Sequence, residues 1–172
     1  MSALRAVATG LAVLVALLLQ VTVAPHVAWH GVVPDLVLLV VVAVALARGP
    51  NPAMVVGFAA GLLVDLAPPA DHVAGRWALA LVLVGYLAGR LRPDVRPTAL
   101  SSLATVAGCA FVGASVVALT GLVLSDPAGV ATGDLMLGVL VSVAWDVALT
   151  PLVLPPLLAL LRRLETPERG TA

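Results

Sequence analysis

Apolar residues fall into six blocks separated by short polar or proline-rich breaks, and this pattern sets the architecture. The blocks run from about Ala6 to Ala24, Val33 to Ala47, Ala53 to Leu66, Trp77 to Gly89, Thr98 to Leu124 and Leu135 to Leu154. Pro25-His26, the Arg48-Gly49-Pro50-Asn51-Pro52 run and Ala67-Pro68-Pro69 interrupt the first three. No block alternates apolar and polar residues with period two, which argues against transmembrane strands. The pattern predicts an all-α integral membrane protein, a compact bundle of about six transmembrane helices.

Blocks two to four are shorter than the roughly 20 residues of a full crossing. Such helices borrow a turn from flanking loops, thin the bilayer locally, or pack inside the bundle; a re-entrant pair in place of two spans is the alternative. Pro155-Pro156 predicts the end of the sixth span, because the second proline disfavours the α region at the first. Leu157 to Leu164 then reads as a short interfacial segment anchored by Arg162 and Arg163. Residues 1–164 form a single polytopic domain, and the polar stretch 165–172 is expected to be a disordered cytoplasmic tail. Arg5 followed by an apolar core and Thr22-Val23-Ala24 loosely resembles a signal peptide, but the apolar stretch is long and more spans follow. It reads as a retained helix.

Composition places the chain in lipid. Of its 172 residues 62% are hydrophobic and 10% charged, with mean hydropathy +1.15, against roughly 25% charge in soluble domains. The net charge is zero, so no global field points to nucleic acid. All nine basic residues are Arg. With the amino terminus inside, Arg5, Arg48, Arg90, Arg92, Arg96, Arg162, Arg163 and Arg169 lie in cytoplasmic segments and Arg76 alone lies outside, as the positive-inside rule requires. Both termini are therefore expected in the cytoplasm. Trp29 and Trp77 then fall at the outer interface. Cys109 lies in an apolar run and reads as a small buried hydrophobe.

Several residues are out of place in lipid unless they face protein. Gly57 and Gly61 stand one turn apart on span three, and Gly85 and Gly89 on span four, a spacing that lets helix backbones approach closely. Asp65 follows Gly61 by four residues, so it shares the face turned into the bundle. Asp35, Asp65 and Arg76 lie near the outer boundary, where an Asp–Arg interaction would lower their cost; solvation by headgroups is the plainer reading. Asp146 sits deep in span six, where an unshielded carboxylate costs roughly 2.5–3.5 kcal/mol. No basic residue lies at its depth, leaving Ser115 and Thr120 as candidate partners. It is read as a polar contact that docks the helix, or else as a proton or solute site. His26, His30 and His72 lack metal-ligand spacing, and no catalytic constellation or cofactor motif is present. No enzyme activity, metal or cofactor is expected.

Pro34-Asp35-Leu36, then Gly57-Phe58-x-x-Gly61-Leu62-x-x-Asp65, then Gly75, Ala78-Leu79 and Gly85-Tyr86-Leu87 together resemble the MreD family of rod shape-determining membrane proteins. Trp145-Asp146 … Pro151 before a Leu-rich, Arg-capped end is similar too. The resemblance covers about residues 30 to 163. Two departures stand out: Asp146 where the family often carries Asn, and Arg76 in the loop before span four. The resemblance implies a non-enzymatic scaffold of the bacterial elongation machinery (the elongasome) in the cytoplasmic membrane, organising cell wall biogenesis and cell shape. Its implied partners are membrane lipid, MreC, the actin-like MreB, the glycosyltransferase RodA and a class B penicillin-binding protein. It also implies a six-helix fold like that of the substrate-binding subunits of energy-coupling-factor transporters. The alternative function is accordingly a substrate-binding subunit for a vitamin-type solute. Such a pocket needs converging polar and aromatic side chains, and this chain has only two Phe, one Tyr and three Trp.

The topology makes one direct prediction. Cysteine-labelling tags at Arg48, Arg92 and the carboxy terminus are shielded in intact cells, whereas tags near His30, Asp71 and Asp126 react. Labelling of position 92 from outside would overturn the six-span topology.

Overall fold

Residues 3–29, 31–67, 74–92, 98–124 and 132–164 are described by the computed structural model. Among them the chain forms six helices: α1 (Ala3–Thr22), α2 (Leu36–Arg48), α3 (Pro50–Leu66), α4 (Arg76–Arg90), α5 (Ala99–Leu124) and α6 (Thr132–Arg163), with a 3-10 turn over Ala24–Val27 and no strand. The stretch 165–172, expected to be disordered, lies outside the described residues. Proline and glycine set the sharpest boundary. Gly49 ends α2 and precedes α3 with φ +85°, a left-handed conformation that costs glycine little, and Pro50 starts α3 where no amide donor is needed.

Successive helices run up and down. At one end Arg5 Nε donates to the Leu164 carbonyl (2.9 Å) and Arg48 donates to Thr9 Oγ1 (2.9 Å), which joins both ends of the described bundle to the close of α2. Ala99 and Ser102 of α5 line a groove with Arg162 at that same end. Among the described residues Arg5, Arg48, Arg90, Arg92, Arg162 and Arg163 gather there, and Arg76 lies at the other.

The helices differ in length because they differ in what surrounds them. Three are long and apolar enough to cross a bilayer: Ala3–Thr22, Ala99–Val123 and Gly133–Arg163. They carry much of the exposed apolar surface, including Leu11, Leu18, Phe111, Val123 and Leu140. By contrast α2 has 13 residues, about 20 Å, well short of the roughly 30 Å hydrocarbon layer. Every residue from Val37 to Ala47 is buried, and α2 touches all five other helices. A helix apolar on every side belongs in a core. Its neighbours meet the lipid, so its own length need not match the membrane.

The most extensive helix pair is α3–α4, which packs antiparallel through its glycines. A side chain on Gly57 would strike the Leu81 carbonyl, one on Gly61 the backbone of Ala78 and one on Gly89 the backbone of Pro50; on Gly85 it would lie 2.7 Å from the Ala53 carbonyl oxygen. All four glycines thus lie on one seam where backbone meets backbone. Gly113 on α5 differs, since the nearest atoms to an added Cβ are side-chain ends of Leu38 and Val84 at 3.2 Å.

One expectation fails. Pro155-Pro156 does not end the last span: α6 is continuous through Pro151, Pro155 and Pro156 to Arg163. Three amide donors are lost, but leaving the helix inside a membrane would strand more backbone groups than that. All three prolines face outward while Leu154 and Leu161 are buried, so the helix can bend away from the rings and keep its inner face on the bundle. Leu157 to Leu164 is thus the last part of α6, not a separate interfacial segment.

The glycine seam yields a prediction. Gly61→Leu should lower membrane accumulation several-fold, because its neighbour is backbone and cannot rotate away. Gly113→Leu should be milder, and Gly108→Leu, with nothing within 4 Å of an added Cβ, milder still. Immunoblots of membrane fractions measure this; equal tolerance at Gly61 and Gly108 would remove the close-packing argument.

Candidate functional site

A helix leaves its first four amide N–H groups without intrahelical acceptors. In water they are solvated, but α2 begins among buried side chains and α4 at a half-buried turn. Both are capped by side chains from other helices.

At α2, Asp35 is the N-cap residue, and its Oδ1 accepts from the Leu38 amide at 2.9 Å. Its own amide donates to Asp146 Oδ1 of α6 at 2.8 Å, and the Val37 amide donates to Gln20 Oε1 of α1 at 3.0 Å. Three helices therefore converge on one helix start. The depths agree: Gln20, Asp35 and Asp146 lie 13 to 16 residues along their helices from Arg5, Arg48 and Arg162, or about 20–24 Å from the basic end. Asp146 is 0% exposed, Asp35 5% and Gln20 9%. Thr150 Oγ1 donates back to the Asp146 carbonyl (2.6 Å), one turn below.

At α4 the N-cap residue is Gly75 (φ +98°), which has no side chain to offer. Asp65, in the last turn of α3, replaces it. Its carboxylate accepts from the amides of Gly75 (2.8 Å), Trp77 (3.1 Å) and Ala78 (3.2 Å). A carboxylate at the end of α3 opposes that helix's own dipole, and the start of α4 offsets this. The α3–α4 turn is closed at its open end by Asp65 and along its length by the glycine seam.

These contacts revise the sequence reading. Asp35 joins Asp146 and Gln20, while Asp65 and Arg76 stay at the α3–α4 turn. Arg76 lays its guanidinium against α5, where a side chain on Gly121 would meet Nη1 at 3.0 Å. Ser115 and Thr120 do not partner Asp146. Thr120 Oγ1 returns to the carbonyls of Val116 (2.6 Å) and Val117 (3.1 Å) on its own helix. Gln20 escaped sequence reasoning, although one amide side chain inside an apolar span is a signal that could have found it. Cys109 is buried with Sγ 4.0 Å from the Val84 carbonyl, between α5 and α4.

Removing the cap tests its weight. Asp65→Ala should destabilise the purified protein by about 2 kcal/mol, the upper part of the N-cap range, because three amides, one of them buried, lose their acceptor. Asp65→Asn should cost less, since its carbonyl still accepts. Thermal unfolding in detergent gives the ordering, and an alanine variant as stable as the parent would show the cap to be dispensable.

Comparison with known proteins sets this geometry in a family. Neither a search of curated proteins nor one of solved structures finds a match. The family model described as rod shape-determining protein MreD matches residues 1–164, nearly the whole chain. A helical membrane protein with these spans and this match belongs to the MreD family.

Proposed function

We propose that this chain is a non-enzymatic scaffold of the bacterial elongation machinery, helping to organise peptidoglycan synthesis and cell shape from the cytoplasmic membrane. The family match over residues 1–164 carries the reading. In this proposal both termini are cytoplasmic, supported by the Arg residues gathered at the end where α1 starts and α6 finishes. The six-helix arrangement is proposed to resemble the substrate-binding subunits of energy-coupling-factor transporters in fold alone. MreC, MreB, RodA and a class B penicillin-binding protein are the proposed partners.

A scaffold needs a fixed interior and an outer surface that others can meet. Gly57, Gly61, Gly85 and Gly89 support the first by locking α3 to α4, and Asp35, Asp65 and Asp146 by capping helices inside the bundle. Arg76 is proposed to hold α4 against α5. The grooves argue against a vitamin carrier. One of about 490 Å³ lies between α1, α2 and α6, lined by apolar residues such as Leu11, Val15, Leu19, Val40, Val153 and Leu157. A polar solute needs several hydrogen-bonding groups converging on it, whereas this lining suits acyl chains.

The test is complementation of a strain depleted of its own family member, scoring cell width and membrane level together. Asp146→Asn should restore rod shape at normal abundance, because the amide oxygen still accepts the Asp35 amide. Asp146→Leu should fail, since that buried amide then has no acceptor. An abundant Asn variant that leaves cells round would remove the docking role assigned to this residue.

A further inference from the structure

Docking explains one oxygen of Asp146 and leaves the other unexplained. Oδ1 accepts the Asp35 amide, but Oδ2 is fully buried without a hydrogen-bond partner. An amide or a hydroxyl would dock α6 equally well. A carboxyl at this place adds an ionisable group beside a second one, since Asp35 both supplies the bonded amide and carries its own buried carboxyl.

Among the described residues no cation pairs with either carboxyl; Arg76 of α4 lies against Gly121 of α5 instead. On the elements packed against α6, α2 contributes Asp35, with Arg48 at the far end bonded to Thr9, and α5 carries no basic residue. From α1 comes the neutral Gln20, with Arg5 at the far end bonded to Leu164. On α6 itself Arg162 and Arg163 are 16 and 17 residues away, and Asp134 is 12. His26, in the turn after α1, is exposed. Two buried carboxylates in contact with one helix start and with no counter-charge would repel each other in a low-dielectric interior. One bound proton removes that repulsion.

The surroundings decide which group holds it. Asp35 is placed to stay ionised: it accepts the Leu38 amide at the start of α2, where amides and helix dipole both favour negative charge. Asp146 lies mid-helix, with one oxygen lacking any donor. We propose that Asp146 and Asp35 form an intramembrane proton-binding site, with the proton on the Asp146 carboxyl.

Infrared spectroscopy of the full-length protein in lipid bilayers near neutral pH tests this directly. The parent should show a carboxylic-acid C=O band that shifts on deuterium exchange, amounting to one acid group per chain and absent from Asp146→Asn. The band should survive in Asp35→Asn: the repulsion is gone, but a fully buried Asp146 with no donor on Oδ2 still favours the neutral acid, and asparagine caps a helix as well as aspartate does. A lipophilic carbodiimide supplies the location. The acid proton adds to one carbodiimide nitrogen and the carboxyl oxygen to the central carbon, with no leaving group; the O-acylurea then rearranges to a stable N-acylurea found by peptide mass spectrometry at Asp146. A parent spectrum without the band, or one identical to that of Asp146→Asn, overturns the proposal. So does a band lost in Asp35→Asn but kept in Asp146→Asn, or one abolished by sodium chloride at constant pH, which would make the ligand a metal cation.

Discussion

Every helix that starts inside a membrane protein must find acceptors for its first amides, and in this bundle two helices start inside. The beginning of α2 is buried and that of α4 half-buried, and an unsatisfied buried amide costs several kcal/mol in hydrocarbon. The acceptors come from neighbouring helices: Asp146 and Gln20 for α2, in addition to its own Asp35, and Asp65 for α4. The most expensive side chains in the apolar interior are thus the ones that allow its shortest helices to exist. A carboxylate is suited to this task because it accepts several N–H groups at once and its charge complements the positive end of the helix.

This capping also explains how short and long helices coexist. Buried on all sides, α2 is freed from bilayer thickness, and α3 and α4 act as one unit because four glycines bring their backbones together. The lipid boundary is shared by α1, α3, α5 and α6, whose exposed leucines, valines and phenylalanines supply a hydrocarbon-facing surface. Burial of a fully apolar helix adds little drive where the surroundings are equally apolar. Close backbone contact and buried hydrogen bonds therefore carry more of the specificity here than they would in water.

For a protein of the MreD family this construction has a functional consequence. The interior is tied at the α2 start, at the α3–α4 turn and at the basic end, where Arg5 reaches Leu164 and Arg48 reaches Thr9. Motion of α1, α2 or α6 against the other two, or of α3 against α4, would break a hydrogen bond at one of these points. These ties hold α1, α2 and α6 as one group and α3 and α4 as another, which supports the scaffold proposed above over a carrier that must open around a solute.

The sequence by itself determined the six helices, the gathering of the arginines and the glycine faces of spans three and four. These depend on local properties: apolar run length, the charge of the breaks and the one-turn spacing of small residues. It also pointed to Asp146 as a residue that must face protein. Only the tertiary structure decided what Asp146 faces, because its partner, the amide of Asp35, lies 111 residues away and backbone amides leave no mark in a sequence. The role of Gln20 was hidden for the same reason, and the Asp35–Asp65–Arg76 grouping misread residues at similar depth as neighbours around the bundle. The Pro155-Pro156 break was a sound inference for a helix in water, where freed carbonyls are solvated. Inside a bilayer those groups have nowhere better to go, so α6 continues, a choice made by the surroundings rather than by the two prolines.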